Sequence, residues 1–267
     1  QTPVVDEPIT IGKWTPRNYT GRYLGPITLG IALKESINTV AARLANEVGT
    51  SNVAATARRL GITSPIQLDP SMALGAVEVS PLEMAQAYAP FSNGGVWAKG
   101  YAVERIRTAS GRVLYDHGVD KGARRAVISQ PALGYMIQMM REVMVSGTGT
   151  RARTPGFDEA GKTGTTSDYR DAWFIGYTGG FVTAVWVGKD DNTPMKKVTG
   201  GGAPAGIWHD YMTAALPRLN VQPIPGGDIP PPPPAAPDGI GAILDGVHDL
   251  LQGDQEAPPE QMEEPPH

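Results

Sequence analysis

Apolar residues recur at Leu29, Leu33, Ile37, Val40, Leu44 and Val48, a helical spacing opened by Thr28 and closed by Gly49. The spacing alone predicts one helix over 28–48, with polar Ser36 and Asn38 set into it. Residues 1–27, punctuated by Pro3, Pro8, Pro16, Pro26, Gly12, Gly21 and Gly25, read as loop. A second helix is expected over Val53–Leu60, ended by Gly61, and another from Pro81 to Tyr88 with Ser80 as its N-cap. Ser71–Gly75 reads as loop, and Asn93-Gly94-Gly95 as a turn. From Tyr101 the period changes to two, which predicts a hairpin over 101–116. Ser129 and Pro131 open a helix with Leu133, Met136, Ile137, Met140 and Val143 on one face, its methionines filling core. Gly147-Thr148-Gly149 ends it. Strands are predicted at Gly161–Ser167, Ala172–Tyr177 and Phe181–Lys189, the last two joined by Gly179-Gly180, then a helix at Ala205–Leu216. Trp173, Phe174 and Trp186 are expected in the core. Helices, then sheet, then helix make an α+β class, an antiparallel sheet packed with helices.

The composition shifts past Asn220. Twelve of the 25 prolines fall there, including the run Pro230–Pro234, so 1–219 reads as the folded domain and 220–267 as a disordered, acidic, Pro-rich tail. Within the tail, Ile240, Ile243, Leu244, Val247, Leu250 and Leu251 share one helical face between Asp238 and Gly253. Two readings of 238–252 stand: a transient helix without a role, or a tethered helix that docks in a protein partner's groove. All 23 Lys and Arg lie at or before Arg218 with 18 of the 27 acids, so the body is mildly basic. That surplus forms no basic stripe with interleaved aromatics, so nucleic acid is not an expected partner. There is no Cys, and the four His never fall at ligand spacing, so no metal or other cofactor is expected. No run of about 18 apolar residues spans a membrane. The chain opens on Gln1 in a polar stretch and is expected to be a fragment, any membrane anchor lying upstream.

The chemistry centres on Gly161-Lys162-Thr163-Gly164-Thr165-Thr166. A Gly on an edge strand lets a substrate backbone approach closely. Lys162 beside it is a fixed cation for a carboxylate, and the Thr163 and Thr165 hydroxyls add donors. A phosphate loop is rejected, because the position five before Lys162 is Phe157 rather than Gly. Ser36-Ile37-Asn38 is a weak signal alone and gains meaning as a polar break upstream of that strand. Asp171, after the strand turn, stands for either a substrate-amine contact or a structural hydrogen bond to the turn.

Ser-x-Asn and Lys-Thr-Gly are two of the three motifs of active-site-serine penicillin-recognising enzymes. Trp14–Tyr19, Thr28–Asn38, Ala73–Gly75, Ser80–Ala85, Phe91–Gly95, Gly147–Thr150, Gly161–Thr166, Asp171–Tyr177 and Gly201–Ala205 carry the fuller resemblance. Over about residues 12–216 the chain resembles the transpeptidase domain of bifunctional class A penicillin-binding proteins. The third motif, Ser-x-x-Lys, occurs nowhere in the chain. The resemblance therefore implies a transpeptidase fold like that of serine β-lactamases, incomplete on its N-terminal side, with the 28–48 helix split near Ser36. It implies a D,D-transpeptidase that cross-links cell-wall stem peptides through a seryl acyl-enzyme, at the periplasmic face of the inner membrane. The parent is expected to be a peptidoglycan glycosyltransferase as well. Ser36 is implied in proton relay, Lys162 in supporting it and drawing the substrate carboxylate, and Asn38, Thr163, Gly164 and Thr165 in substrate binding. With no nucleophile in this chain, it is expected to be inactive alone, β-lactams reacting only with the complete domain. A non-catalytic peptidoglycan- or partner-binding module is the alternative, and a serine β-lactamase-like hydrolase the lesser one.

Overall fold

The computed structural model describes residues 2–118 and 125–227. Strands β1 (Pro3–Asp6) and β2 (Gly25–Thr28) pair antiparallel, and helices α1 (Leu29–Lys34), α2 (Asn38–Val48), α3 (Thr50–Leu60) and α4 (Pro81–Ser92) follow. A hairpin of β3 (Arg105–Arg107) and β4 (Val113–Asp116) leads to α5 (Gln130–Ser146). Then come β5 (Ala160–Thr165), β6 (Asp171–Thr178), β7 (Phe181–Gly188) and α6 (Ala203–Ala215). The last three strands form an antiparallel sheet in the order β5-β6-β7, which leaves β5 at an edge. The class is α+β.

Alternation along β6 sends successive side chains to opposite layers. Tyr177, with Ala160 opposite it on β5, packs against Phe91 of α4 and Leu133, Ile137 and Met140 of α5. Phe174 faces Ala205, Trp208 and Met212 of α6, with the Phe174 and Trp208 rings edge to face at 5.4 Å. Gly176 is required where α6 crosses, because a Cβ there would come within 2.7 Å of the Trp208 ring. Leu133, Ile137 and Val143 of α5 are wholly buried, each contributing roughly 1.5–3 kcal/mol of transfer free energy. Met140 and Met144 fill core as expected.

Four expectations are corrected. Residues 1–27 are not all loop, since β1 and β2 lie within them. The buried side chain of β1 is Asp6, and β2 opens Gly-Pro, so neither strand carries an apolar alternation to read. The 28–48 stretch is two helices, split at Ser36 as the resemblance implied and against the single helix of the spacing. Ser36 adopts φ 56° between α1 and α2, a left-handed turn that no spacing of apolar residues announces. Of the three aromatics placed in the core, only Phe174 is fully buried: Trp173 is half-buried and Trp186 is 39% exposed, the two being cross-strand neighbours near the end of the sheet. Beyond residue 219 the chain stays packed through Gly227. Ile224 enters the core beside Leu133, and the Gly227 carbonyl accepts from Arg141 Nη1 at 2.7 Å. The amphipathic stretch 238–252 lies outside the described residues.

Candidate active site

Two segments 126 residues apart meet at a single hydrogen bond: Lys162 Nζ donates to Ser36 Oγ at 2.8 Å. Each is aimed by its own element. Lys162 sits on β5 opposite Ile175 of β6, on the sheet face that carries Tyr177, where the helical layer packs. Ser36 reaches down from the turn that separates α1 and α2. The Lys162 ammonium also donates to its neighbour's carbonyl, Thr163 O, at 3.0 Å. Among the described residues no carboxylate lies within ion-pairing distance of it. Burial without a counter-ion pulls its pKa down from 10.5 to about 8. Such a group is a donor at neutral pH and gives up its proton within reach of the working range.

Asn38 follows Ser36 by two positions and opens α2, and its Nδ2 donates to Arg17 O at 2.8 Å. The hydroxyls of Thr163 and Thr148 are bonded at 2.6 Å, which ties β5 to the Gly147-Thr148-Gly149 loop after α5. Thr165 is exposed, and its Oγ1 accepts from Gly200 N at 3.0 Å. The loop at Gly200 lies flat on the strand, and a Cβ on that residue would stand 2.5 Å from Gly164 O. Ser36 and Lys162 thus meet directly, Thr163, Gly164 and Thr165 continue from Lys162 along the edge strand, and Asn38 follows Ser36 by two positions with its side chain bonded to Arg17 O. Asp171 stands apart from them. Its Oδ1 accepts from Trp186 Nε1 of β7 at 2.9 Å and its Oδ2 from Thr166 Oγ1 at 3.2 Å, so one oxygen serves the sheet and the other the β5–β6 turn. Among the described residues no group of three or more His, Asp or Glu is placed to hold a metal.

The motifs did not single out Thr148 or the tyrosine pair Tyr19 and Tyr169. The two phenol hydroxyls are 3.0 Å apart, with rings edge to face, and join the Trp14–Arg22 loop to the β5–β6 turn. Tyr19 and Thr148 lie inside stretches that carried the resemblance; Tyr169, at φ 57°, has no signal in the sequence.

The sequence profile described as Penicillin binding protein transpeptidase domain matches residues 2–212. Penicillin-binding protein 1A of Aquifex aeolicus is 38% identical over 202 residues, covering 74% of this chain and 27% of that protein. Penicillin-binding protein 1B of Vibrio cholerae is 34% identical over 234 residues, covering 85% of this chain and 30% of that protein. This chain therefore spans less than a third of these relatives. The structure of PonA1 from Mycobacterium tuberculosis in complex with penicillin V superposes with a TM-score of 0.76 at 27% identity, covering 86% of this chain and 69% of that one. Penicillin-binding protein 1A from Haemophilus influenzae does so with a TM-score of 0.71 at 27% identity, covering 89% and 40%. With an edge strand bearing Lys-Thr-Gly, a Ser-x-Asn turn bonded to it, and this breadth of similarity, the chain belongs to the penicillin-binding protein transpeptidase family and matches the transpeptidase portion of its class A members.

Proposed function

We propose that this chain supplies most of the acyl-donor groove of a serine-type D,D-transpeptidase of peptidoglycan synthesis, working with a nucleophilic serine that its own sequence lacks. The carrying observation is the 2.8 Å bond between Lys162 Nζ and Ser36 Oγ. In the reaction, the serine oxygen attacks the carbonyl of the penultimate D-alanine of a stem peptide. The C–N bond breaks, D-alanine leaves with a proton, and an amine of a neighbouring strand then takes the acyl group and returns the serine. Ser36 relays the proton to the leaving nitrogen, and Lys162 holds Ser36 and sets its electrostatics. Asn38 holds the substrate amide. Thr163 and Thr165 hydrogen-bond the terminal carboxylate near the Lys162 charge, with Gly164 admitting the backbone, and the Thr165 N–H serves the oxyanion. β-Lactams enter the same groove in the complete domain. The setting is the periplasmic face of the bacterial inner membrane, in a parent that also carries glycosyltransferase activity.

The test uses the 267-residue chain and two peptides differing only at the last group, one ending in free D-Ala-D-Ala and one in its amide. Titration by NMR is expected to show at least about tenfold tighter binding of the acid, the discrimination of one charge-assisted contact. That preference is lost in Thr165→Val. Equal binding of acid and amide would overturn the reading. Fluorescent penicillin is expected to leave this chain unlabelled; a covalent band would mean that it holds a nucleophile after all. The absence of Ser-x-x-Lys favours one second reading, a module that grips stem peptides without turnover. It predicts the same acid preference, but no gain of penicillin labelling when a segment bearing Ser-x-x-Lys is supplied.

A further inference from the structure

The strand pair β1–β2 buries a carboxylate that the proposed chemistry does not use. Asp6 is wholly buried, and no Lys or Arg pairs with it among the described residues. Its Oδ1 accepts from Asn18 Nδ2 at 2.7 Å and from Thr39 Oγ1 at 2.5 Å, and its Oδ2 accepts from Leu24 N at 2.8 Å. Its partners Asn18 and Thr39 are also buried. A buried carboxylate held only by neutral donors is costly unless each donor is placed by the rest of the fold. Here the donors come from two segments, Asn18 and Leu24 from the loop before β2 and Thr39 from the first turn of α2, directly after Ser36-Ile37-Asn38.

The local sequence does not hold that triplet. The N-cap of α2 is Ile37, which has no side chain to cap the helix, and Ser36 is in the left-handed region. The cap comes from elsewhere: Thr39 N donates to Asn18 Oδ1 at 3.2 Å, and Asn38 Nδ2 donates to Arg17 O at 2.8 Å. Asn18 is fixed in turn by Asp6 and by its Nδ2 bond to Arg22 O at 3.0 Å. A negative charge beside the first turn of α2 also suits the helix dipole. We infer that Asp6 is a positioning residue for the Ser36–Asn38 triplet, its carboxylate holding Asn18 and Thr39 so that they set the first turn of α2 and the direction of Ser36 and Asn38. This rests on the proposed role of that triplet toward a D-Ala-D-Ala end.

The experiment compares Asp6→Asn, the exchange D6N/N18D, Thr39→Val and Glu83→Gln in the 267-residue chain. Two quantities are read below each melting temperature: the NMR titration midpoint of Lys162 and the affinity for the free-acid peptide. Asp6→Asn puts an amide where two donors converge. It is expected to weaken peptide binding about tenfold and to move the Lys162 midpoint, because Ser36 no longer receives the ammonium's hydrogen. The exchange variant restores a carboxylate to the cluster from the other side and is expected to recover most of both quantities. Thr39→Val removes one donor and keeps the charge, so it gives a smaller change in the same direction and serves if Asp6→Asn does not fold. Glu83, whose carboxylate accepts from Ser80 N in the capping box that opens α4, is the control: Glu83→Gln weakens that cap and is expected to lower the melting temperature without moving either quantity. If Asp6→Asn and Thr39→Val both leave the Lys162 midpoint and the affinity at wild-type values, the inference is overturned. It is equally overturned if Glu83→Gln moves them as far. Failure of the functional reading is distinguishable, because it appears in the wild-type chain as equal binding of acid and amide.

Discussion

Two cations hold distant parts of this fold together, and they are treated in opposite ways. Arg141 of α5 meets the Asp158 carboxylate through Nε at 2.8 Å and Nη2 at 2.7 Å and gives Nη1 to Gly227 O. Asp158 Oδ2 also accepts from Ile224 N at 2.8 Å, so the pair fastens residues 224–227 to the body. Lys162 is desolvated as well, but it has a hydroxyl and a carbonyl in place of a carboxylate. A charge that serves only the fold is given its counter-ion. A charge left without one keeps its field free for something that arrives, and the substrate's terminal carboxylate is the arrival proposed for it. The contrast can be broken by removing one partner from each. Asp158→Ala strands a guanidinium whose side chain is 23% exposed and is expected to cost about 2–3 kcal/mol, somewhat below the loss at a fully buried pair. Lys162→Met removes an unpaired charge and is expected to change stability by no more than ~1 kcal/mol, in either direction. Urea unfolding of the two variants checks both. Equal losses would mean that Lys162 is as structural as Arg141.

The same contrast shows what a reader of the sequence can see. The helices α5 and α6 were legible because their apolar residues repeat with the helical period, and the Lys-Thr-Gly strand was legible through its motif and the strand Asp171–Tyr177 that follows it. The Arg141–Asp158 clasp was not. Arg141 lies in the α5 amphipathic run and Asp158 in a loop, and nothing local relates them. The Asp6 cluster was invisible for the same reason, its three donors spanning residues 18 to 39. Ser36 and Lys162 were joined beforehand only through the resemblance. Periodicity alone buried Ser36 in one long helix, because a single left-handed residue leaves the apolar spacing on either side intact. Trp186 was misread as core because alternation places a side chain on a face without saying where the covering layer ends.

The second prediction uses pH. Folding lowers the Lys162 pKa from 10.5 to about 8, so between these values the unfolded chain binds more protons at this site than the folded one. Stability contributed by this residue therefore rises with pH across that window and is flat below it. Other lysines and tyrosines titrate nearby, so the quantity to measure is the difference between wild type and Lys162→Met. Urea midpoints at pH 7.5, 9 and 10.5 are expected to shift in favour of wild type at each step. A difference that is constant over the range would show that Lys162 is neither desolvated nor unpaired in solution, and the distinction from Arg141 would be lost.

The smallest effect is expected at the other end of the Lys162 hydrogen bond. Ser36 at φ 56° is held in a conformation that costs a non-glycine residue roughly 1–2 kcal/mol. Ser36→Gly removes that strain, but it also lets the unfolded chain gain about 0.5–1 kcal/mol of conformational freedom and deletes one acceptor from the ammonium. These terms oppose each other, and the net change in stability is expected to stay within ~1 kcal/mol. A loss above ~2 kcal/mol would make Ser36 a keystone of the fold. The physical reason to expect otherwise is that the turn is clamped from outside, by Asn18 and the Arg17 carbonyl, and not by the serine side chain itself. A residue kept strained by its surroundings, whose own hydroxyl does little for the fold, fits the proton-relay role proposed for Ser36.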